Sequence, residues 1–383
     1  MSHLFPTYAR MNIEPVHAEG CYITDKTGKR YIDFTSGIGV CNLGHQPPSV
    51  KSVIEKQLNQ FWHVSNLFEQ EGQEVAAKSL AEAAEMDSVF FSNSGAEANE
   101  GAIKLARKAT GRSKIITFEK SFHGRTFGAM SATGQDKIKQ GFGPMLEGFV
   151  YVPFNDFEAL ETEMGQDIAA VMLEVIQGEG GLYVGSELFL KQVESLCKQY
   201  GALLVIDEIQ TGIGRTGKPF AFQHFNLNPD IVTSAKGLGS GLPIGAIIGK
   251  EYLNEYFGPG SHGSTFGGNP IAISAANQTM KEIFNQEFLL KVNEKSELVF
   301  SLLQSQLNRE SIVKEVRGLG LMIGIELASP VQPLLTVLRE RGVLALPAGD
   351  TVLRLLPPLI MNKEELEEGI TIICNTINEM VYA

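Results

Sequence analysis

The chain has 383 residues, enough for two domains with substantial cores, and its 43% hydrophobic and 8% aromatic content is ordinary for a soluble globular enzyme. The formal net charge is -12, from 32 basic and 44 acidic residues, and no basic cluster reverses it locally, which disfavours nucleic acid as a partner. No apolar run approaches the ~18 residues of a membrane span, and the N-terminus lacks the charged and apolar regions of a signal peptide, so we expect no membrane partner.

The four cysteines, Cys21, Cys41, Cys197 and Cys374, lie far apart and form no C-x-x-C pair. This spacing predicts reduced, structural thiols in a cytosolic protein and disfavours a zinc site. A nucleophilic role for one of them stays open, although no neighbouring residue in the sequence indicates one.

The first 45 residues carry short strand patterns. Residues 20–24 and 31–34 flank a turn that contains Gly28, which is typical of a small β-hairpin. The glycine-rich segment 36–45 has neither the P-loop nor the Rossmann spacing, so by itself it indicates a phosphate site only weakly. Two prolines then mark a boundary before a helix that ends at Leu58.

A strand at residues 88–91 leads through a turn into a helix over residues 96–109. Ser94 and Glu97 match an S-x-x-E capping box, which predicts that this helix starts at Gly95. Strand and helix patterns then alternate, which predicts a doubly wound, largely parallel sheet. The alternating segments are residues 114–118, 149–152, 169–175, 187–200 and 202–206.

Residues 202–206 form a short apolar run that ends abruptly in the carboxylates of Asp207 and Glu208. Such a run is typical of a strand buried on both faces of a parallel sheet. A second short strand, residues 231–233, precedes Lys236 in a glycine-rich turn. Because ligands bind outside the carboxyl ends of the strands in open α/β sheets, we expect the Asp207 acid and the Lys236 amine to share one site.

The alternative for this pair is a surface acid and a surface lysine in loops. An unpaired charge beside the sheet would be costly, which favours a functional role for Asp207. A free lysine has a pKa of about 10.4 and is protonated at neutral pH, whereas a covalent bond to a bound aldehyde avoids that state for Lys236.

The last third of the chain has a different pattern of predicted helices and strands. Together with residues 1–45, it is expected to form a second, smaller α+β domain. Asn362 and Glu365 match the N-cap and N3 positions of its final helix. Before that helix, the predicted elements are a helical stretch over residues 272–308, a strand over 319–327, a helix over 331–341 and a short strand pair around Leu344 and Leu353.

The segments DEIQTG at residues 207–212 and SAKGLG at residues 234–239 resemble the class III pyridoxal-phosphate aminotransferases. The resemblance covers nearly the whole chain, and within the family it is strongest to the members that act on acetylornithine. It implies an α/β fold-type I transferase with a large, doubly wound, mainly parallel sheet domain and a smaller α+β domain. The implied boundaries are residues 46–271 for the large cofactor-binding domain, and residues 1–45 with 272–383 for the small one.

The resemblance implies pyridoxal 5′-phosphate (PLP) as the cofactor. Lys236 would hold it covalently and later move a proton, while Asp207 would keep the pyridine nitrogen protonated. Phe122 and Ile209 would pack on the two faces of the ring, and Gln210 would bond to the ring oxygen. Taken alone, Phe122 would more often be a core phenylalanine.

The cofactor phosphate would lie at the start of the helix after the Ser94 turn, where backbone N–H groups and the helix dipole favour an anion. The family implies Ser94, Gly95 and Ala96 as ligands there, and the alternative is a plain capped helix. Thr265 would add a ligand from a second chain, because this segment reaches across a homodimer interface in the family.

The substrate residues implied by the resemblance are Arg125, Glu179, Ser264 and Arg354. Arg125 would grip a substrate carboxylate, and Arg354 would bind the α-carboxylate of glutamate. Glu179 would mask Arg354 while the other substrate is bound. The alternative for each arginine is a surface ion pair that contributes about 0–1 kcal/mol.

The resulting hypothesis is transfer of an ω-amino group from N-acetylornithine to 2-oxoglutarate, in arginine biosynthesis in a microbial cytoplasm. Ile38 stands where ornithine aminotransferases carry a tyrosine that helps to hold free ornithine, which favours an acylated amine. Other ω-amine donors (succinylornithine, ornithine or 4-aminobutyrate), a PLP aminomutase and a non-catalytic binding protein remain as alternatives. An aminomutase needs no separate amino acceptor, and a non-catalytic member would be expected to lose Lys236 or Asp207.

Overall fold

The computed structural model describes residues 3–307 and 312–380. Its strands, in chain order, are β1 (Pro15–Glu19), β2 (Tyr22–Asp25), β3 (Arg30–Asp33), β4 (Ser88–Ser92), β5 (Lys114–Phe118), β6 (Phe149–Val152), β7 (Ile168–Leu173), β8 (Ile176–Gln177), β9 (Tyr183–Val184), β10 (Leu203–Asp207), β11 (Ile231–Ser234), β12 (Gly245–Gly249), β13 (Val313–Leu319), β14 (Met322–Leu327), β15 (Val343–Leu344), β16 (Leu346–Ala348) and β17 (Val352–Leu355).

The helices, in chain order, are α1 (Ser36–Gly39), α2 (Pro48–Leu58), α3 (Glu71–Ala84), α4 (Gly95–Thr110), α5 (Phe127–Ala132), α6 (Asp136–Lys139), α7 (Phe157–Glu163), α8 (Glu187–Tyr200), α9 (Pro270–Ile283), α10 (Gln286–Gln306), α11 (Gln332–Glu340) and α12 (Lys363–Met380). α1 is a single irregular turn in which Gly37 and Ile38 have positive φ. Among the described residues, no helix is both long and apolar enough to cross a membrane.

A seven-stranded sheet with the order β4-β12-β11-β10-β7-β5-β6 forms the centre of the molecule. β12 runs antiparallel to its neighbours β4 and β11, and the remaining neighbours pair in parallel. The predicted doubly wound, largely parallel sheet is therefore confirmed.

Both faces of this sheet are covered, which explains why β10 is apolar throughout instead of alternating. Leu203 and Val205 pack in one buried cluster with Ala98 and Ala102 of α4. Leu204 and Ile206 belong to a second buried cluster that includes residues of α8. Burial on both sides leaves only the carboxyl end of the strand for chemistry.

Strands from the two ends of the chain form two four-stranded sheets, β1-β2-β3-β15 and β13-β14-β17-β16. β2 and β3 are the antiparallel hairpin that the sequence predicts. In the second sheet, β17 pairs with β14 and β16, and it carries Arg354. β8 and β9 form a separate two-stranded sheet.

Two predictions for the last third of the chain are wrong in detail. The helical stretch over 272–308 is two helices, because Asn285 ends α9 and caps α10 by accepting from the N–H groups of Glu287 and Phe288. Its predicted last residue, Asn308, lies outside the described residues. The strand over 319–327 is the turn and second strand of a hairpin, since Gly320 has a φ of 59° that permits a tight turn.

The predicted helix caps are confirmed. Ser94 Oγ accepts from the N–H of Glu97, and α4 starts at Gly95. Asn362 and Glu365 exchange the two side-chain-to-backbone hydrogen bonds of a capping box at the start of α12.

Candidate active site

The predicted acid and amine lie at the same edge of the central sheet. Asp207 is the last residue of β10 and is in register with Thr233 of the parallel strand β11, and Lys236 follows the end of β11 by two residues. Both side chains line one cavity of about 510 Å³, a size suited to a cofactor with a small substrate. The cavity is lined by Val40, Asn93, Ser94, Gly95, Ala96, Phe122, His123, Gly124, Arg125, Glu174, Asp207, Ile209, Gln210, Ala235, Lys236, Gly241, Leu242, Pro243 and Ile244.

The Asp207 carboxylate is held by a buried hydrogen-bond network. Its Oδ2 lies 2.7 Å from His123 Nδ1 and accepts from Asn99 Nδ2 at 2.8 Å, and its Oδ1 accepts from the N–H of Ile209 at 3.0 Å. Thr233 Oγ1 donates to Asn99 Oδ1, which fixes the amide orientation. Burial lowers the pKa of His123, but the hydrogen bond to Asp207 and the negative charges of Asp207 and Glu174 together outweigh that effect, so the pKa of His123 is raised. The carboxylate is thus fixed in position with the ring of His123 beside it.

Lys236 lies in a strained backbone conformation. Its φ is 44°, a left-handed value that a non-glycine residue adopts at some cost. The side chain is partly accessible, and burial of its amine lowers the pKa of Lys236, an effect that the negative charge of Glu179 opposes. A lower pKa makes the neutral, nucleophilic amine easier to reach near neutral pH.

The N-terminus of α4 opens onto the cavity through Ser94, Gly95 and Ala96. The first N–H groups of a helix have no intrahelical acceptor, and the helix dipole adds positive potential there. A Cβ on Gly95 would lie 2.6 Å from Ile209 Cδ1, so glycine allows the helix start to approach this loop. Glu97 turns away from the cavity and accepts from the N–H of Asn93, one residue earlier than a standard capping box.

Phe122, Ile209 and Arg125 form the rest of the predicted wall. The Arg125 guanidinium carbon is 5.7 Å from the centroid of the Phe122 ring, and Arg125 is exposed at the cavity mouth. Phe122 is fixed by its backbone, because its N–H donates to Glu174 Oε2 at 3.0 Å.

A second buried acid, Glu174, also lines the cavity. Its two oxygens accept from the N–H groups of Phe122 and Gly178, so it connects the aromatic wall to the turn that carries Glu179. Burial raises the pKa of Glu174 to about 7. Glu208, the residue after Asp207, faces away from the cavity and accepts hydrogen bonds from Thr211 Oγ1 and from the N–H of Phe222.

Glu179 and Arg354 form an ion pair beside the cavity. Arg354 Nη1 lies 2.5 Å from Glu179 Oε1, and Nη2 lies 3.3 Å from Oε2. Gln210 joins the pair, because its Oε1 accepts from Arg354 and its Nε2 donates to Glu179. Although burial raises the pKa of Glu179, the charge and hydrogen bonds of Arg354, together with the charge of Lys236 and the hydrogen bond from Gln210, bring it below its ordinary value.

Ser264 and Thr265 do not line the cavity of their own chain. Ser264 Oγ accepts from Asn93 Nδ2 at 3.1 Å, which places the segment just outside the α4 N-terminus. Thr265 is exposed. Of the predicted site residues, these two are the ones that the single chain does not bring to the cavity wall or to the Glu179–Arg354 pair.

A family model described as Aminotransferase class-III matches residues 6–377. The chain belongs to the class III aminotransferases. It is therefore a PLP-dependent aminotransferase of fold type I, and the predicted family, fold class and cofactor are confirmed.

Individual relatives align with this class III chain over nearly their full length. An acetylornithine aminotransferase of Bacillus subtilis (strain 168) is 56% identical, over 97% of this chain and 96% of that protein. The N-acetylornithine aminotransferase structure of Stenotrophomonas maltophilia K279a has a TM-score of 0.85 at 37% identity, covering 98% of both chains. The ornithine aminotransferase of Toxoplasma gondii, whose active site holds PLP at partial occupancy, has a TM-score of 0.95 at 31% identity, covering 100% of this chain and 94% of that one. The shared fold thus extends over enzymes with different amino donors.

Sequence reasoning missed three residues of the site: Asn99, His123 and Glu174. Asn99 lies four residues after Gly95, one helical turn into α4, so a search for polar residues on that helix face would have found it. His123 directly follows the predicted Phe122. No sequence pattern indicates Glu174, because it reaches the cavity through the path of the chain after β7, which brings it to the N–H of Phe122.

Proposed function

We propose that this aminotransferase moves the ω-amino group of N2-acetylornithine to 2-oxoglutarate, giving N-acetylglutamate 5-semialdehyde and glutamate, as a step of arginine biosynthesis in the cytoplasm. The observation that carries the proposal is the Glu179–Arg354 ion pair beside the Lys236 cavity, which suits a site that takes two different substrates in turn. Curated relatives that are 52% to 56% identical over nearly the full length are acetylornithine aminotransferases.

The cavity residues fit PLP in four respects. The N-terminus of α4 offers N–H groups for a phosphate, and Asp207 places a fixed carboxylate where a protonated ring nitrogen needs one. Phe122 and Ile209 supply two apolar faces, and Lys236 supplies the amine for covalent attachment. PLP, when bound, supplies an electron-withdrawing ring that stabilises negative charge on the substrate carbon that loses its proton.

The residues of the chain have separate roles in the transfer. The Nζ of Lys236, whose pKa burial lowers, can accept a proton and return it near neutral pH. His123 and Asn99 keep the Asp207 carboxylate aimed into the cavity, so its charge needs no reorganisation during turnover.

The Glu179–Arg354 pair provides for two substrates. While the pair is closed, the Arg354 charge is neutralised and the site admits an ω-amine with an uncharged acyl group. When Glu179 moves aside, the freed guanidinium can bind the α-carboxylate of glutamate or 2-oxoglutarate in a bidentate manner. Arg125 at the cavity mouth then takes the second carboxylate of these dicarboxylates.

The donor is an acylated ornithine because the chain offers no tyrosine hydroxyl at position 38 to hold a free α-amino group. Ile38 lies in the irregular turn α1, two residues before the cavity residue Val40, and is 45% exposed. Free ornithine, 4-aminobutyrate and succinylornithine are the competing donors, and the last differs only in its acyl group.

We propose that the enzyme works as a homodimer with shared active sites. We also propose that each chain has two domains. The large domain spans residues 46–271, and the small domain combines residues 1–45 and 272–383. Thr265 is exposed in the single chain, as a residue that reaches a neighbouring site would be. Large apolar side chains near the same face are exposed too: Trp62, Leu67, Phe68 and Phe266.

The donor assignment is tested with the purified holoenzyme and a panel of amines, read by the change in the cofactor absorption spectrum. N-acetylornithine should convert the cofactor fastest, and 2-oxoglutarate should reverse the change. If 4-aminobutyrate or free ornithine converts the cofactor fastest, the assignment is contradicted. If succinylornithine does so, only the acyl group of the assigned donor changes.

Arg354→Ala should slow the half-reaction with glutamate roughly 100-fold in kcat/KM, because about 3 kcal/mol of charged hydrogen bonding to the α-carboxylate is lost. The half-reaction with acetylornithine should change by less than about tenfold, most clearly when Glu179→Gln is added to remove the uncompensated charge. Arg339→Ala, at a partly exposed arginine on α11 far from the cavity lining, is the matched control. Equal losses in both half-reactions would refute the two-substrate role.

Thr265→Ala should weaken cofactor retention in the dimer, measured by the PLP that remains after dialysis, and Thr336→Ala on α11 serves as a control for an exposed threonine. Analytical ultracentrifugation over a dilution series tests the shared site directly. A monomer with full activity at low concentration would rule it out.

A further inference from the structure

The turn that carries Glu179 is held along its backbone by other parts of the chain. It covers residues 178–182, between β8 and β9. The N–H of Gly178 donates to Glu174 Oε1 at 3.3 Å, and the carbonyl of Glu179 accepts from the N–H of Gly349 at 3.0 Å. The backbone is therefore fixed both before and after the Cα atom of Glu179.

The second half of the turn is held by Arg317, which lies on β13 and whose side chain is 9% exposed. Its Nη2 donates to the carbonyl of Gly181 at 2.6 Å, and its Nε is 3.1 Å from the carbonyl oxygens of both Gly181 and Leu182. The guanidinium carbon lies 4.6 Å from the centroid of the Tyr183 ring. One side chain of the C-terminal sheet thus binds three consecutive residues that closely follow Glu179.

The backbone that Arg317 holds is strained at Leu182. This buried leucine has a φ of 54°, a left-handed value that costs free energy and persists where the surrounding structure holds it. The carbonyls of Gly181 and Leu182 lie on either side of the Leu182 Cα, and both accept from Arg317. Arg317 therefore stabilises a turn conformation that leucine disfavours.

Two carboxylates keep the guanidinium in place from the other side. Glu315 and Glu326 are opposite each other in the β13–β14 pair, and Arg317 Nη1 forms an ion pair with each of them. Like charges directly opposite each other are destabilising, and the arginine compensates them. A lysine at this position keeps a positive charge for the two acids but lacks the planar fork that binds the two carbonyls.

We propose that Arg317 is a positioning residue for substrate selection, because it holds the 178–182 backbone where Glu179 can close on Arg354. The proposal rests on the two-substrate role proposed above for that ion pair. Arg317 does not line the cavity, so its effect on a substrate passes through Glu179. Because the backbone is fixed, only the Glu179 side chain has to rotate to free Arg354. Loss of the Arg317 hydrogen bonds loosens the turn and weakens the closed pair.

The test measures how tightly the holoenzyme binds glutarate, a dicarboxylate without an amino or oxo group, by titration calorimetry. Arg317→Lys should bind glutarate about fivefold more tightly than the wild type, because Arg354 is then free in a larger fraction of molecules. In steady-state assays, kcat/KM for 2-oxoglutarate should rise by a similar factor, while kcat/KM for the amino donor stays within about twofold. An unchanged or weaker affinity for glutarate would overturn the proposal.

A double variant shows whether Arg317 acts through Glu179. Glu179→Gln removes the charge that masks Arg354 and should itself tighten glutarate binding. Adding Arg317→Lys to Glu179→Gln should then change the dissociation constant by less than about 1.5-fold, since no charge pair is left to weaken. Additive effects of the two substitutions would contradict the positioning role.

The same titrations separate this proposal from the two-substrate function on which it rests. If Glu179→Gln tightens glutarate binding and Arg317→Lys does not, the positioning role alone is wrong. If Glu179→Gln leaves glutarate binding unchanged, the masking of Arg354 is wrong and both proposals fall.

Arg341→Lys is the matched control, because Arg341 is an exposed arginine that pairs with Glu379 away from the turn. It should leave the affinity for glutarate unchanged. If Arg317→Lys does not fold, Tyr183→Leu takes its place, since it removes the ring that the guanidinium contacts. Tyr183→Leu should tighten glutarate binding by about twofold, and an unchanged affinity there would count against the proposal.

Discussion

The carboxylate of Asp207, buried at the carboxyl end of β10, is the constraint on which the active site depends. A strand covered on both faces can expose only its end to a ligand, and a charge placed there must be paired or hydrogen-bonded. Asn99 from α4 and His123 from the loop after β5 meet that requirement with hydrogen bonds to Asp207 Oδ2. The same geometry brings the start of α4 and the loop after β11, with Lys236, to the same cavity.

A second constraint connects this edge to the C-terminal sheet. Arg354 lies on β17, Glu179 lies between β8 and β9, and Gln210 follows β10, yet the three side chains share hydrogen bonds. These contacts make the ion pair depend on the packing of the C-terminal sheet, which carries Arg354, against the loops that follow β8 and β10.

Much of this site follows from local sequence signals. The apolar run that ends in Asp207, the N-cap at Ser94 and the glycines after Lys236 each have a short-range cause, and each holds in the structure. The contact of Glu174 with the backbone of Phe122 joins residues 52 positions apart, and the Glu179–Arg354 pair joins residues 175 positions apart, so no local pattern reports them. The break at Asn285 was missed because the apolar helical pattern continues across it.

The account's central claim is that Lys236 is the residue that carries the cofactor, opposite the Asp207 carboxylate. The most direct measurement is borohydride reduction of the holoenzyme followed by peptide mass mapping, with Lys250→Ala as a control lysine variant. The account predicts one reduced cofactor adduct per chain, on the peptide that contains Lys236, and none in Lys236→Ala. An adduct on another lysine, or one that persists in Lys236→Ala, would contradict it.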